Sequence, residues 1–229
     1  METNATRAAP APPPSERVRL RRKRERGRYE REAIDAILDE ALIAHLGIVD
    51  EHGQPFVVPV LHARDGEVVY CHGSLGSRTM RALASGVPAC LTVSLIDGLV
   101  LARSAMHHSA NYRSVMLLGR ARAIEDEGEK RRALEAVVEH IVPGRWHDVR
   151  PPSVKELAAT AVLAIPIEEA SAKVRTGGPL DDEEDYALEV WAGVIPLASS
   201  AGEPRPDERL LAGVTPPPYV RAYRRPGAA

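Results

Sequence analysis

The stretch "VVYCHGSLGSRTMRAL", residues 68–83, starts as a β-strand, passes through glycine and serine, and ends with helical spacing. Gly76-Ser77-Arg78-Thr79 precedes Met80, Leu83 and Ala84, and Gly86 is placed to end the helix. A loop that meets a helix N-terminus presents free N–H groups and the positive end of the helix dipole, which favour an anion. Ser77 and Thr79 add hydroxyl donors, and Arg78 adds a guanidinium suited to bidentate phosphate pairing. The glycine spacing is neither that of a P-loop nor that of a dinucleotide fingerprint. On these residues alone, a capped surface helix with a solvated Arg78 is the leading reading, and the phosphate site is the alternative.

Upstream, Ile34, Ile37, Leu38, Ala41 and Leu42 mark one buried helical stripe. "AHLGIVDEHGQPFVVPVLHARDGEVVYCHG" then gives three apolar runs separated by Asp-Glu-His-Gly and Arg-Asp-Gly, a meander of antiparallel strands. Pro59 cannot donate a ladder hydrogen bond, so its strand belongs at an edge, at a bulge, or beside something other than a strand. Downstream, "VPACLTVSLIDGLVLARSA" predicts two strands around Asp97-Gly98, and "RSVMLLGRARAIED" one long strand. Leu134, Val137, Val138 and Ile141 predict a second amphipathic helix, and Ser153 leads a short third one. "AVLAIPIEEASAKVR" and "LEVWAGVIPLA" each predict a closing strand. Six to eight strands without regular βα alternation predict a mainly β fold with α, an antiparallel, Greek-key-like barrel with flanking helices.

The folded domain is expected over residues 29–197 of the 229. Residues 1–28 read as a flexible basic arm, and residues 198–229 as a Pro/Ala-rich tail whose Tyr219 and Tyr223 are candidates for packing on a partner subunit. Thirty basic residues against 32 acidic ones give no global pull toward nucleic acid, and 4% aromatics leave few stacking platforms. No apolar run approaches the roughly 20 residues needed to cross a bilayer. Two cysteines and no N-terminal hydrophobic segment point to a reducing cytoplasm without a disulfide framework.

Three blocks, Pro55–Leu61, Tyr70–Thr79 and Asn111–Gly119, with "VWAGVIPL" as a fourth, resemble the pyridoxamine 5'-phosphate oxidase-like proteins with the FMN-binding split barrel. The chain looks closest to the flavin-nucleotide-binding or Nim-type (5-nitroimidazole resistance-related) branch. The resemblance implies FMN as cofactor, a homodimer with its cofactor sites between subunits, and oxidoreductase chemistry on an unidentified small molecule. It implies that Val58, Pro59, Val60 and Leu61 lie along the isoalloxazine ring, and that His72, Gly73 and Ser74 approach it from the next strand. Ser77, Arg78 and Thr79 would grip the phosphate, with Thr79 standing where the oxidases have lysine. Asn111, Tyr112, Arg113 and Ser114 would reach the ring edge, Ser114 standing in place of a longer glutamine, and Trp191 would close the site. The residues that hold the substrate phosphate in true pyridoxamine phosphate oxidases have no match, so pyridoxal phosphate synthesis is not expected. Catalytic residues are not assigned.

Some split-barrel relatives bind haem through histidine, which leaves a haem-binding or haem-degrading barrel and a non-catalytic flavin carrier as alternatives. Adjacent His107 and His108 would point to opposite strand faces, so no shared metal is expected. His45 reads as a satisfied core histidine. The carboxylates of "DDEEDY", 181–186, read as solvated, and Cys71 lacks a Cys-x-x-C partner for redox work.

Overall fold

The computed structural model describes residues 11–224. The strands are β1 (Gly27–Arg28), β2 (Ile43–Val49), β3 (Pro55–Asp65), β4 (Val68–Ser74), β5 (Pro88–Leu101), β6 (Ser109–Arg120), β7 (Arg122–Ala123), β8 (Thr160–Pro166), β9 (Glu169–Arg175) and β10 (Gly193–Pro196). The helices are α1 (Arg31–Glu40), α2 (Arg78–Ala84), α3 (Glu127–Ile141), α4 (Val154–Ala159) and α5 (Pro218–Arg221).

Local chemistry accounts for most of these elements. Ile34, Ile37 and Leu38 bury one face of α1, which ends where Ala41 turns extended and donates its N–H to the Ile37 carbonyl at 3.1 Å. The β2–β3 and β3–β4 turns pass through Gly53 (φ 80°) and Gly66 (φ 53°), left-handed positions that favour glycine. Ser153 and Glu156 form a reciprocal capping box at α4.

The strands run in the order β1-β9-β6-β5-β2-β3-β4-β8-β7, with β10 added to β5, and every pairing is antiparallel. The chain steps from β8 to β9 across Ile167 and Glu168, joining two distant places in that order. Val115 and Leu117 of β6 share one core cluster with Leu163 and Ile165 of β8. A Cβ at Gly119 would lie 3.2 Å from Ile165 Cγ2, so the two halves of the sheet close on each other. This is a split antiparallel barrel, with ten strands rather than six to eight.

The split explains Pro59. Residues 55–61 of β3 pair with β2, whereas only residues 62–65 pair with β4. The first half of β3 therefore has an edge without a strand beside it, where proline's missing N–H is tolerated.

Three elements differ from expectation. β5 runs unbroken through Asp97-Gly98, absorbing the turn-like pair as a register shift between Ile96 and Gly98. The run 161–175 is two strands, because Pro166-Ile167-Glu168 carries the chain between sheet halves. Residues 188–192 lie outside the last strand, which is confined to β10. A Cβ at Gly98 would meet the Ile195 carbonyl and Val194 Cγ1, each at 3.0 Å. Gly98→Ala is therefore expected to push β10 off β5 at a cost of about 1–2 kcal/mol, read as a lower urea midpoint with a change in tryptophan emission from Trp191.

The described part of the basic arm, residues 11–28, is docked rather than free. Val18 is 1% exposed, Arg17 pairs with Glu169 at 2.7 Å, Leu20 N–H donates to the Tyr29 hydroxyl at 2.8 Å, and β1 pairs with β9. Residues 1–10 of that arm and 225–229 of the tail lie outside the described residues. Tyr219 packs within its own chain, its hydroxyl donating to Asp148 Oδ2 at 2.6 Å and accepting from Arg145 at 3.1 Å. No helix among the described residues is long and apolar enough to cross a membrane.

Candidate functional site at the barrel split

The segment 68–83 folds as β4, a capped turn and α2. Gly73 packs directly beneath Met80, since a Cβ there would lie 2.8 Å from Met80 Cε and oblige that side chain to shift, and Met80 with Leu83 anchors α2 on the barrel core. Ser74 Oγ accepts from Gly76 N–H at 3.1 Å, and Ser77 Oγ accepts from Met80 N–H at 3.4 Å. Gly86, at φ 82°, lies just beyond the helix end.

Arg78 is exposed, and its guanidinium carbon lies 3.9 Å from the centroid of the Phe56 ring. That contact spans the split, from the unpaired half of β3 to the start of α2. Stacking holds the guanidinium in place without neutralising it. No carboxylate among the described residues forms an ion pair with Arg78, so its charge is available to an external anion.

The expected site residues fall into separate groups within one chain. β3, the end of β4 and the start of α2 bring Val58–Leu61, His72–Ser74 and Ser77–Thr79 to the split. Along β3, Val58 and Val60 pack on the core, so the outward side chains are Val57, Pro59 and Leu61. Asn111–Ser114 lie on β6, separated from β3 by β5 and β2. Their side chains are committed elsewhere. Asn111 accepts from buried Arg175, and Ser114 Oγ donates to the Lys173 carbonyl at 3.4 Å. Arg113 is held between two carboxylates, reaching Asp97 at 2.7 and 2.9 Å and Glu40 at 2.8 Å. These hydrogen bonds, to Asp97 first and then Glu40, hold the guanidinium well above its ordinary pKa. Tyr112 is half-buried on the opposite face of β6. Trp191 is 66% exposed beside β10, with its ring against Gly193, where a Cβ would come within 2.9 Å.

Sequence reasoning missed Phe56, although the only phenylalanine of the chain stands in the block that raised the resemblance. It also missed Asp181, whose side chain is fully buried rather than solvated. Asp181 accepts the backbone N–H groups of Arg103 and Ser104 and pairs with the Arg103 guanidinium at 3.1 Å.

Residues 30–174 match the profile of the family described as pyridoxamine 5'-phosphate oxidase. The chain belongs to that family. Among solved structures, the flavocytochrome Anf3 from Azotobacter vinelandii is 48% identical, covering 93% of this chain and 98% of that one at a TM-score of 0.87. An FAD- and haem-binding protein from Mycobacterium smegmatis is 38% identical, covering 87% and 98% at a TM-score of 0.83. A candidate 5-nitroimidazole antibiotic resistance protein from Bacteroides thetaiotaomicron is 27% identical, covering 63% and 84% at a TM-score of 0.54. A comparison with curated proteins gives no match.

Within this pyridoxamine 5'-phosphate oxidase fold the histidines differ sharply. His62 is fully buried, and its Nε2 bonds to the Leu38 carbonyl at 3.0 Å. His140 bonds to the Ala41 carbonyl at 2.8 Å. His107 sits 3.6 Å from Asp181, and His108 Nδ1 lies 3.0 Å from the Ser104 carbonyl. His107, Asp181 and Asp185 offer ligand atoms within 4.8 Å of one another, but Arg103 already supplies the positive charge there. His45, expected in the core, is exposed on β2 opposite Pro59 and Thr92. Among the described residues the Nδ1 atoms of His72, His62 and His107 are all buried without a hydrogen-bond partner, and burial lowers the His72 pKa. Burial pushes the Cys71 thiol up to about 12, which removes it from thiolate chemistry at neutral pH.

Proposed function

We propose that the protein is a homodimeric flavin-binding redox protein that also carries haem, an oxidoreductase acting on a small-molecule partner. The observation that carries this reading is 48% identity over 93% of the chain to a flavocytochrome, joined to an exposed Arg78 stacked on Phe56 at the barrel split. The residues present fit a flavin phosphate: a capped helix start, the hydroxyls of Ser77 and Thr79, and a guanidinium that makes no ion pair among the described residues. Pro59, Leu61, Gly73 and Ser74 would present backbone and small side chains to the ring. The bound flavin supplies the hydride or electron chemistry, and the protein supplies orientation, charge and exclusion of water. The M. smegmatis relative is described as binding FAD, which makes FAD the expected nucleotide here; FMN carries the same ring and the same first phosphate.

The outward face of β2, β3, β5 and β10 supports the dimer. The register partners Ile43 and Leu61, and Leu99 and Ile195, are each 37–44% exposed and leave apolar surface for a second copy to cover.

Purified full-length protein tests the reading. Flavin bands near about 375 and 450 nm, a Soret band, and FAD in an acid extract are expected. Colourless protein that takes up neither group overturns it. Arg78→Ala is expected to weaken flavin binding by about 1–3 kcal/mol, read from quenching of flavin fluorescence, through loss of a charge-assisted phosphate pair.

A further inference from the structure

The outward faces of β5, β6 and β9 carry a polar groove of about 400 Å³, apart from the Arg78 site. Cross-strand register builds its floor in two rows: Ser94 opposite Ser114 opposite Lys173, and Thr92 opposite Met116 opposite Ser171. Residues paired in this way share one face of the sheet, with strands roughly 4.8 Å apart and rows roughly 7 Å apart. The roof is the docked arm, whose Val18, Arg19 and Leu20 line the same space. Four of the six floor side chains are hydroxyls, and no carboxylate lines the groove.

The charge around this floor is positive. Lys173 makes no ion pair among the described residues. One row further along β9, opposite Tyr112, Arg175 is 6% exposed and donates to neutral groups: Asn111 Oδ1 and the carbonyls of Gly177 and Gly178, the last two at 3.3 and 3.1 Å. A buried guanidinium held by neutral acceptors leaves its charge on the sheet. Two nearby acids are already matched, Glu169 by Arg17 and Glu16 by Arg19, each at 2.7 Å. A phosphate offers several acceptor oxygens to an ammonium and to hydroxyl donors, and sugar hydroxyls exchange hydrogen bonds with serine and threonine. Hydroxyls under a positive potential therefore match a sugar that bears a phosphate.

We propose that this groove binds a sugar phosphate, the ribose-phosphate end of the small-molecule redox partner, with Lys173 as the cation that meets the phosphate. The redox role rests on the flavin reading above, whereas the binding itself does not. The Thr92 row continues through His45 to Pro59, two strand spacings or roughly 10 Å away. A partner anchored on Lys173 can thus lay its other end across the sheet, toward the place given to the flavin ring.

Calorimetric titration of the full-length protein with ribose 5-phosphate, and with ribose as the neutral control, tests the site. The phosphate ester is expected to bind at one per chain, and ribose about tenfold or more weakly. Lys173→Gln is expected to lower affinity for ribose 5-phosphate about tenfold or more, through loss of a charge-assisted bond, with the flavin bands unchanged. Arg19→Glu, on the exposed arm, sets a carboxylate over the groove; it is expected to have the same effect and serves if Lys173→Gln does not fold. Arg78→Ala is expected to weaken flavin binding and leave affinity for ribose 5-phosphate unchanged. Affinity that survives both Lys173→Gln and Arg19→Glu, or that falls only in Arg78→Ala, overturns the groove assignment, as does a wild type that binds no ribose 5-phosphate. Protein that takes up no flavin yet binds ribose 5-phosphate through Lys173 keeps the groove and overturns its redox role.

Discussion

Arg113→Met is expected to cost about 3 kcal/mol of folding stability. Arg113 stands between Glu40 at the end of α1 and Asp97 in β5, with side chains 29%, 16% and 31% exposed. Removing the guanidinium leaves two mostly buried carboxylates facing one space, each without its partner. The penalty is that of uncompensated charge rather than the net worth of the ion pairs, which desolvation largely offsets. Partial exposure keeps the figure at the low end of the range for broken buried pairs. Urea unfolding at neutral pH should show a lowered midpoint at constant slope. A midpoint within error of wild type would mean that water already screens the triad. Stability, rather than flavin affinity, is the readout because the structure commits the side chain to Glu40 and Asp97.

Stability is also expected to fall by about 3 kcal/mol between pH 6.5 and pH 4 through His62 alone. Burial first, then the charge of His140, lowers its pKa from the ordinary 6.5 to about 4 in the folded chain. The rings of His62 and His140 are 5.2 Å apart, and His62 Nε2 donates to Leu38. Between those two pH values the unfolded chain binds the proton and the folded chain does not, so stability rises with pH. The contribution is complete above pH 6.5 and lost as pH falls through about 4, at about 1.4 kcal/mol per pH unit. Urea midpoints measured from pH 7.5 to 4 would reveal the slope. His62→Gln keeps a donor for Leu38 without a titrating ring, and its profile should be flatter by this amount. An unaltered slope in the variant would assign the acid sensitivity to other groups.

Local patterns explain why so much of this fold was legible. α1, α3 and α4 are written in residues three and four apart and in the Ser153 cap, and the meander in its Gly53 and Gly66 turns. Pro59 announced an irregular edge before its cause was visible. What stayed hidden depends on partners far along the chain. Arg113 finds Glu40 across 73 residues, and Arg103 finds Asp181 across 78. Neither partner carries a local signature, and "DDEEDY" has the composition of a solvated run. A groove beside His72 joins α3, Trp146 and β4, which no window of sequence brings together. β8 and β9 were merged because Ile165-Pro166-Ile167 reads as one apolar run.

The docked segment before α1 has a consequence for how the barrel survives in a crowded solution. β9 would otherwise end the sheet with a row of unpaired N–H and C=O groups, an invitation to strand-on-strand self-association. Gly27 and Arg28 cover two positions of that row, opposite Lys173 and Ala172. Removing the segment is expected to leave the β9 edge open to strand-on-strand pairing, read as added mass in light scattering of the shortened protein. A shortened form of the protein should begin before Ala11 rather than at the first residue of the expected domain.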